Sequence, residues 1–189
     1  MEITIIRHGK SLNNTKARMS ASGFGQWIDS YNHSGIDTRY APSSHALAQA
    51  GTCATVVCSH LCRSIESARA LGVLSIDVQD ALFRECDMPY THWKYPKLSV
   101  SGWSLLFRVL QMFGYSSNAE SLKEAKLRAK RCALQLGQLA NENGSVLFVG
   151  HGFLNWLIVR QLLRQGWVGP RHAGREHWSY GIYRYPTIE

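Results

Sequence analysis

Short apolar runs alternate along this chain with stretches of helical period, and that alternation limits the folds open to it. Glu2-Ile3-Thr4-Ile5-Ile6 is a β-branched run that stops abruptly at Arg7-His8-Gly9. Thr55-Val56-Val57-Cys58 reads as a second buried strand ending at Ser59, and Ser145 to Val149 as the clearest strand of all, followed at once by Gly150-His151-Gly152. A further strand is expected near Leu74 to Val78. Between the strands, Ser43 to Ala50 closed by Gly51 reads as a short helix. From His60 to Leu71 the residues Leu61, Ile65, Ala68 and Leu71 recur at helical spacing, with Ser59 placed to cap the helix and Gly72 to end it. Ser117-x-x-Glu120 has the form of a capping box before a long helix whose apolar stripe runs from Leu122 through Ala129, Cys132 and Leu136 to Ala140 and stops at Gly144. A helix from about Phe153 to Arg164 and an antiparallel strand within His177 to Tyr185 complete the alternation. Gly23 to Arg39, rich in Gly, Ser, Asn and Asp, reads as a long loop. The expected fold class is α/β, a three-layer sandwich with a mostly parallel central sheet and helices on both faces.

With 189 residues, 45% apolar and 18% charged, the chain is sized for one domain and has neither a disordered nor a coiled-coil composition. Its longest nearly apolar stretch, Trp103 to Tyr115, is broken by Arg108 and Gln111 and is too short to span a bilayer. Met1-Glu2-Ile3-Thr4 lacks the basic-then-apolar order of a secretory signal. The five cysteines are odd in number and form no Cys-x-x-Cys pair, so a cytoplasmic location without disulfide framework or thiolate zinc site is expected. Cys58 and Cys132, among apolar neighbours, are expected in the core. Lys and Arg number 21 against 13 Asp and Glu, a formal charge of +8 that favours an anionic partner, whether phosphate ester, nucleic acid or acidic lipid. Part of that charge, on Lys123, Lys126, Arg128, Lys130 and Arg131, is expected to solvate one helix face.

In a parallel α/β sheet ligands gather beyond the C-terminal ends of the strands. Here that region contains Arg7-His8-Gly9, Ser59 to Arg63, and Gly150-His151-Gly152. Two His and two Arg brought together there suit a densely anionic electrophile, and a phosphoryl group is the candidate, because the forked guanidinium donors of Arg7 and Arg63 match its oxygens. Gly152 would let backbone N–H groups approach it at a helix N-terminus. A neutral imidazole can be the nucleophile when one ring nitrogen is free and the other N–H is held by a carbonyl. His8, between Arg7 and a glycine turn, is better placed for this than His151, which is expected to donate to a phosphoryl oxygen. The departing alcohol needs a proton, and Glu85 is the carboxylate nearest another strand end, with Asp87 and Asp80 as alternatives. The eight histidines show no spacing that would fix a metal, so neither metal nor cofactor is expected.

These residues carry a resemblance. With Arg7-His8-Gly9 after one strand, Ser59-His60-Leu61-Cys62-Arg63-Ser64 and Ala68 after a second, Phe83-Arg84-Glu85 after a third and Gly150-His151-Gly152 after a fourth, nearly the whole chain resembles the histidine phosphatase superfamily, also called phosphoglycerate mutase-like. The resemblance implies a phosphohistidine on His8, a phosphate pocket of Arg7, Arg63 and His151, and Glu85 as general acid and then base. It also implies a place near the phosphate for Asn14, which with Gly9 and Gly152 makes up the expected substrate-binding set. Lys10 stands where many members have Glu, Ser64 where Ala is usual, and Glu85 is followed by Cys86-Asp87-Met88-Pro89 instead of the Phe-Gly continuation of the mutases. The compact chain favours a metal-independent phosphatase of the histidine acid phosphatase type, acting on a small phosphorylated metabolite, over mutase-type phosphotransfer.

Residues 86–117 read as an insertion in the single domain, at the place where this family often carries a lid. Its Tyr90, Trp93, Tyr95, Trp103, Leu106, Phe107, Leu110 and Phe113 could close on an apolar part of the substrate, pack onto the domain, form a homodimer interface or meet acidic lipid. Arg171, His172 and Arg175 could add to substrate binding. A reading from a different class takes the +8 charge with Trp93, Trp103, Trp156, Trp167 and Trp178 as a nucleic-acid surface, but no nucleic-acid motif accompanies them and none is expected to bind.

Overall fold

The structure, a computed structural model, describes residues 1–186. Five strands form one sheet: β1 (Glu2–Arg7), β2 (Thr55–Cys58), β3 (Val78–Gln79), β4 (Ser145–Gly150) and β5 (Tyr180–Arg184). Their order is β3-β2-β4-β1-β5, parallel throughout except for β5, which runs antiparallel to β1. The central pair is in register from Glu2 beside Ser145 to Arg7 beside Gly150, so Arg7-His8 and Gly150-His151 leave the sheet side by side.

Period-two alternation divides the core. Ile3, Ile5, Val57, Val146 and Phe148 pack on one face against α5 (Leu122–Asn143) and α6 (Gly152–Arg164). Ile6, Val56, Cys58, Leu147 and Val149 pack on the other against α2 (Ser44–Ala50) and α3 (Cys62–Ala70). Burial pushes the thiols of Cys58 and Cys132 up to about 12, as for inert core cysteines.

Several elements differ from the sequence expectation. The third parallel strand is only Val78–Gln79, because Leu74 stands fully exposed. The capping box before α5 is Ser121 with Glu124, one turn later than Ser117 with Glu120. The stretch read as a long loop, Gly23 to Arg39, overlaps α1 (Ala21–Asn32), which Ser20 caps. Its glycines disguise a helix: a Cβ on Gly25 would lie 2.5 Å from the Tyr90 ring, so that glycine serves close packing and not a turn. Phe24 of α1 joins Trp103 and Phe107 of α4 (Val100–Met112) in a third apolar cluster, which packs α4 against α1. Trp103, Trp167 and Trp178 are buried, which leaves Trp93 and Trp156 of the five tryptophans weighed as a stacking surface exposed. Among the described residues no helix is long and apolar enough to cross a membrane.

Candidate active site

His8 follows β1 directly and is 2% exposed. Its Nδ1 lies 2.7 Å from the Gly9 carbonyl, which can only accept, so Nδ1 carries the hydrogen and Nε2 keeps its lone pair. The His151 ring lies 5.1 Å away, centroid to centroid, and that of His177 5.4 Å away. Burial, then the neighbouring His151 imidazole and the charges of Arg63 and Arg7, hold His8 well below the usual histidine range, with the Gly9 carbonyl opposing. Burial and the nearby arginines depress His151 in the same direction.

Small residues set these rings. Gly9 N–H donates to Ser67 Oγ at 2.8 Å, and a Cβ on Gly9 would lie 2.3 Å from the Trp178 indole. Trp178 adopts φ 66°, a region that residues other than glycine rarely enter; its backbone N–H to the Arg7 carbonyl and its indole N–H to the Tyr40 carbonyl hold it there. Ser59 does not cap α3, whose N-cap is Leu61. Its hydroxyl lies 2.7 Å from His151 Nε2 while accepting from Leu61 N–H. Giving the Ser59 proton to Nε2 leaves the His151 hydrogen on Nδ1, a buried nitrogen without a partner in the protein.

The two arginines arrive from different elements. Arg63 is fully buried on α3, its guanidinium 4.4 Å above the Tyr31 ring and donating to the Tyr31 carbonyl at 3.0 Å. Arg7 donates to the Arg175 carbonyl. Gly152 makes room for it, because a Cβ there would lie 3.3 Å from the guanidinium carbon. The Nε atoms of both arginines are buried without an acceptor. An unpaired buried donor costs about 1–3 kcal/mol, and three such N–H groups on Arg7, Arg63 and His151 suit a ligand rich in oxygen acceptors.

Glu85 accepts from the backbone N–H groups of Cys86 (2.9 Å), Leu154 (3.0 Å) and Phe153 (3.2 Å). It therefore occupies the first turn of α6, which the sequence had assigned to a phosphate. Burial raises its pKa, but the Arg108 charge and these three N–H groups together outweigh that and hold it below the usual carboxylate range. The segment bearing Glu85 is fixed by Arg128, which donates to the carbonyls of Leu82 and Arg84 at 2.8 Å each and pairs with Glu120. Arg128 is thus a buried brace and not part of the solvated helix face.

Arg7, Arg63 and Glu85 share one cavity of about 230 Å³, while His8 and His151 are buried behind its lining, with Arg7 between His8 and the space. Asn14 is exposed and does not line it, Asp87 lines it while paired with Arg84, and Asp80 instead caps the short turn Ala81–Phe83. Arg171 and His172 are exposed. Sequence reasoning missed His177, Ser67 and Arg128. The only signal for His177 is its position three residues before a strand that must pair with β1. Among the described residues no three His, Cys, Asp or Glu side chains gather where they could hold a metal ion.

Buried neutral histidines tie stability to pH. His8, His151 and His177 are all depressed in the folded protein, His177 by burial first and then by Arg7 and Lys10. Below the ordinary value of 6.5 the unfolded chain therefore binds more protons than the folded one. Thermal stability should be full above pH 6.5 and fall as pH drops below it, and His151→Asn should flatten the fall. A melting temperature constant from pH 7 to 5 would contradict this.

The family model of the histidine phosphatase superfamily (branch 1) matches residues 3–186. No curated protein matches the chain in sequence. Among solved structures, a phosphoglycerate mutase from Bacillus anthracis is similar at 16% identity and TM-score 0.61, covering 100% of this chain and 92% of that one. A mycobacterial glucosyl-3-phosphoglycerate phosphatase with VO3 is similar at 18% identity and TM-score 0.60, covering 96% and 91%. An ecdysone phosphate phosphatase from Bombix mori with tungstate has 16% identity and TM-score 0.55, covering 100% and 95%.

Proposed function

The chain belongs to the histidine phosphatase superfamily, and from that premise we propose that it hydrolyses a phosphomonoester through a phosphohistidine on His8, with Glu85 as proton donor. The observation that carries the reading is the Nδ1–H contact of His8 with the Gly9 carbonyl, which leaves Nε2 unprotonated next to three unpartnered donors. Nε2 attacks phosphorus while the P–O bond to the alcohol breaks. The free N–H groups of Arg7, Arg63 and His151 neutralise the phosphoryl oxygens throughout. The alcohol leaves with a proton from Glu85; water then attacks phosphorus, Glu85 takes a proton from it, the P–N bond breaks, and His8 returns to its neutral form.

Glu85 is a carboxylate in the free protein, so its proton has to arrive with the substrate. A phosphate monoester has a second pKa of about 6 and below that enters as a monoanion able to hand a proton to Glu85. Its negative charge also raises the Glu85 pKa. Turnover of alkyl phosphates should therefore fall as pH rises above about 6.

Glu85→Gln tests the assignment. Hydrolysis of alkyl phosphates should drop roughly 10²–10⁴-fold, whereas p-nitrophenyl phosphate, whose leaving group needs no proton, should lose far less in the step that forms the phosphoenzyme. Equal loss on both substrates in single-turnover measurements would move the acid role to Asp87. Phosphatase is favoured over mutase because both Nη atoms of Arg108, the remaining cation lining the cavity, already donate to the carbonyls of Cys86 and Asp87 and to Gln111.

A further inference from the structure

Beyond the phosphoryl-binding end, the cavity has an apolar wall that α1 supplies. Phe24, Trp27, Ile28 and Tyr31 line it at helical spacing, with Met88 opposite. Phe24 and Trp27 stack at 5.8 Å with an interplanar angle of 9°, and Trp27 and Tyr31 at 4.8 Å and 26°. The row ends where Arg63 sits over Tyr31, so one aromatic surface leads from the guanidinium into the cavity.

The polar groups on this surface are few and mostly neutral. The Trp27 indole N–H is buried and has no acceptor in the protein, and the Ser104 side chain also lines the space. Among the described residues the lining cations are Arg7, Arg63 and Arg108. The first two face the transferring phosphoryl group. Arg108 lies 4.2 Å over the Phe153 ring with both Nη atoms donating to protein oxygens; Glu85 lines the same space, and Asp87 does so while paired with Arg84. A second anionic group on the substrate would have to compete for an Arg108 whose Nη atoms already donate to protein oxygens.

Resting on the phosphatase reading, we propose that the substrate is the phosphate ester of an uncharged alcohol carrying a flat apolar group, one ring in size, with a hydrogen-bond acceptor for Trp27. The cavity, about 230 Å³, lies below the range of about 300–1,000 Å³ that holds drug-sized ligands. A volume on that scale suits one ring. Bisphosphates and phosphorylated carboxylic acids are disfavoured, because the cation left for a second anion, Arg108, is already engaged by protein oxygens.

Benzyl phosphate, ethyl phosphate and 4-carboxybenzyl phosphate separate ring binding from charge, because their alcohols are comparably poor leaving groups. Benzyl phosphate should exceed ethyl phosphate in kcat/KM by about tenfold or more, the discrimination one apolar pocket supplies. The carboxylated ester should fall about tenfold or more below benzyl phosphate, as expected for an uncompensated like charge. Trp27→Ala should bring the benzyl-to-ethyl ratio towards one, and Ile28→Lys, which puts a cation on the wall, should reverse the preference against 4-carboxybenzyl phosphate. Equal turnover of all three esters with phospho-His8 formed, or a preference for the carboxylated ester, would overturn this inference and leave the phosphatase reading standing. Absence of turnover and of any phosphoenzyme with all three would overturn both.

Discussion

Replacing His8 with Ala is expected to reduce turnover of p-nitrophenyl phosphate by roughly 10³-fold or more, the scale on which removal of a covalent nucleophile acts. The substrate matters to this prediction. p-Nitrophenolate departs without a proton, so the loss in the chemical step reads the nucleophile and not the acid. The His8 ring makes one hydrogen bond, to its neighbouring carbonyl, and bears no ladder contact of the sheet, which the backbone of β1 provides. The variant should keep its far-ultraviolet circular dichroism, with a melting temperature lowered by the cavity that the lost ring leaves between His151 and His177. Retained activity in a folded His8→Ala protein would exclude a histidine nucleophile at this position.

Arg128→Met should act on both stability and catalysis. Arg128 and Glu120 are a nearly buried pair, with 5% and 10% of their side chains exposed, and the same guanidinium holds the carbonyls of Leu82 and Arg84. Removing one partner of such a pair leaves the other charge buried and costs about 3–5 kcal/mol. For a domain of this size that lowers the melting temperature by roughly 10 °C. Glu85 follows Arg84 directly, so the loss of this brace should also lower kcat on alkyl phosphates more than it raises KM. Adding Glu120→Gln to Arg128→Met should recover part of the stability by removing the stranded charge, and little of the activity. A double variant no more stable than Arg128→Met would show that the buried Glu120 charge is not the source of the cost.

The ends of β1, β2 and β4 were legible in the sequence because each of these strands is a short apolar run broken by a polar or glycine residue, and register then forces their ends together. Arg7-His8 and Gly150-His151 emerge side by side for this reason alone. The elements that escaped were those in which composition and role diverge. In α1, Gly23 and Gly25 lower helix propensity, yet Gly25 is dictated by the Tyr90 ring pressed against its backbone, and the helix is held by tertiary packing of Phe24 on Trp103 and Phe107. The buried face of α3 is polar, with Ser64 and Ser67 turned inward to bind the Val149 carbonyl and the Gly9 N–H, a pattern that apolar periodicity cannot detect. Arg128 sits among four exposed basic residues and is distinguished from them only by the loop it reaches, 46 residues away at Leu82. The aromatics of the insertion were visible as a cluster, but their counterpart, Phe24, lay in the segment read as a loop.

The central claim is a covalent phosphorus–nitrogen bond at His8. Rapid mixing of the protein with a 32P-labelled phosphomonoester, a quench in alkali, which preserves phosphohistidine, and peptide mapping would test it most directly. The account predicts label on the peptide containing Arg7-His8-Gly9, lost on brief acid treatment and absent from His8→Ala. Label that survives acid, label on another residue, or turnover with no labelled protein at any time would contradict it.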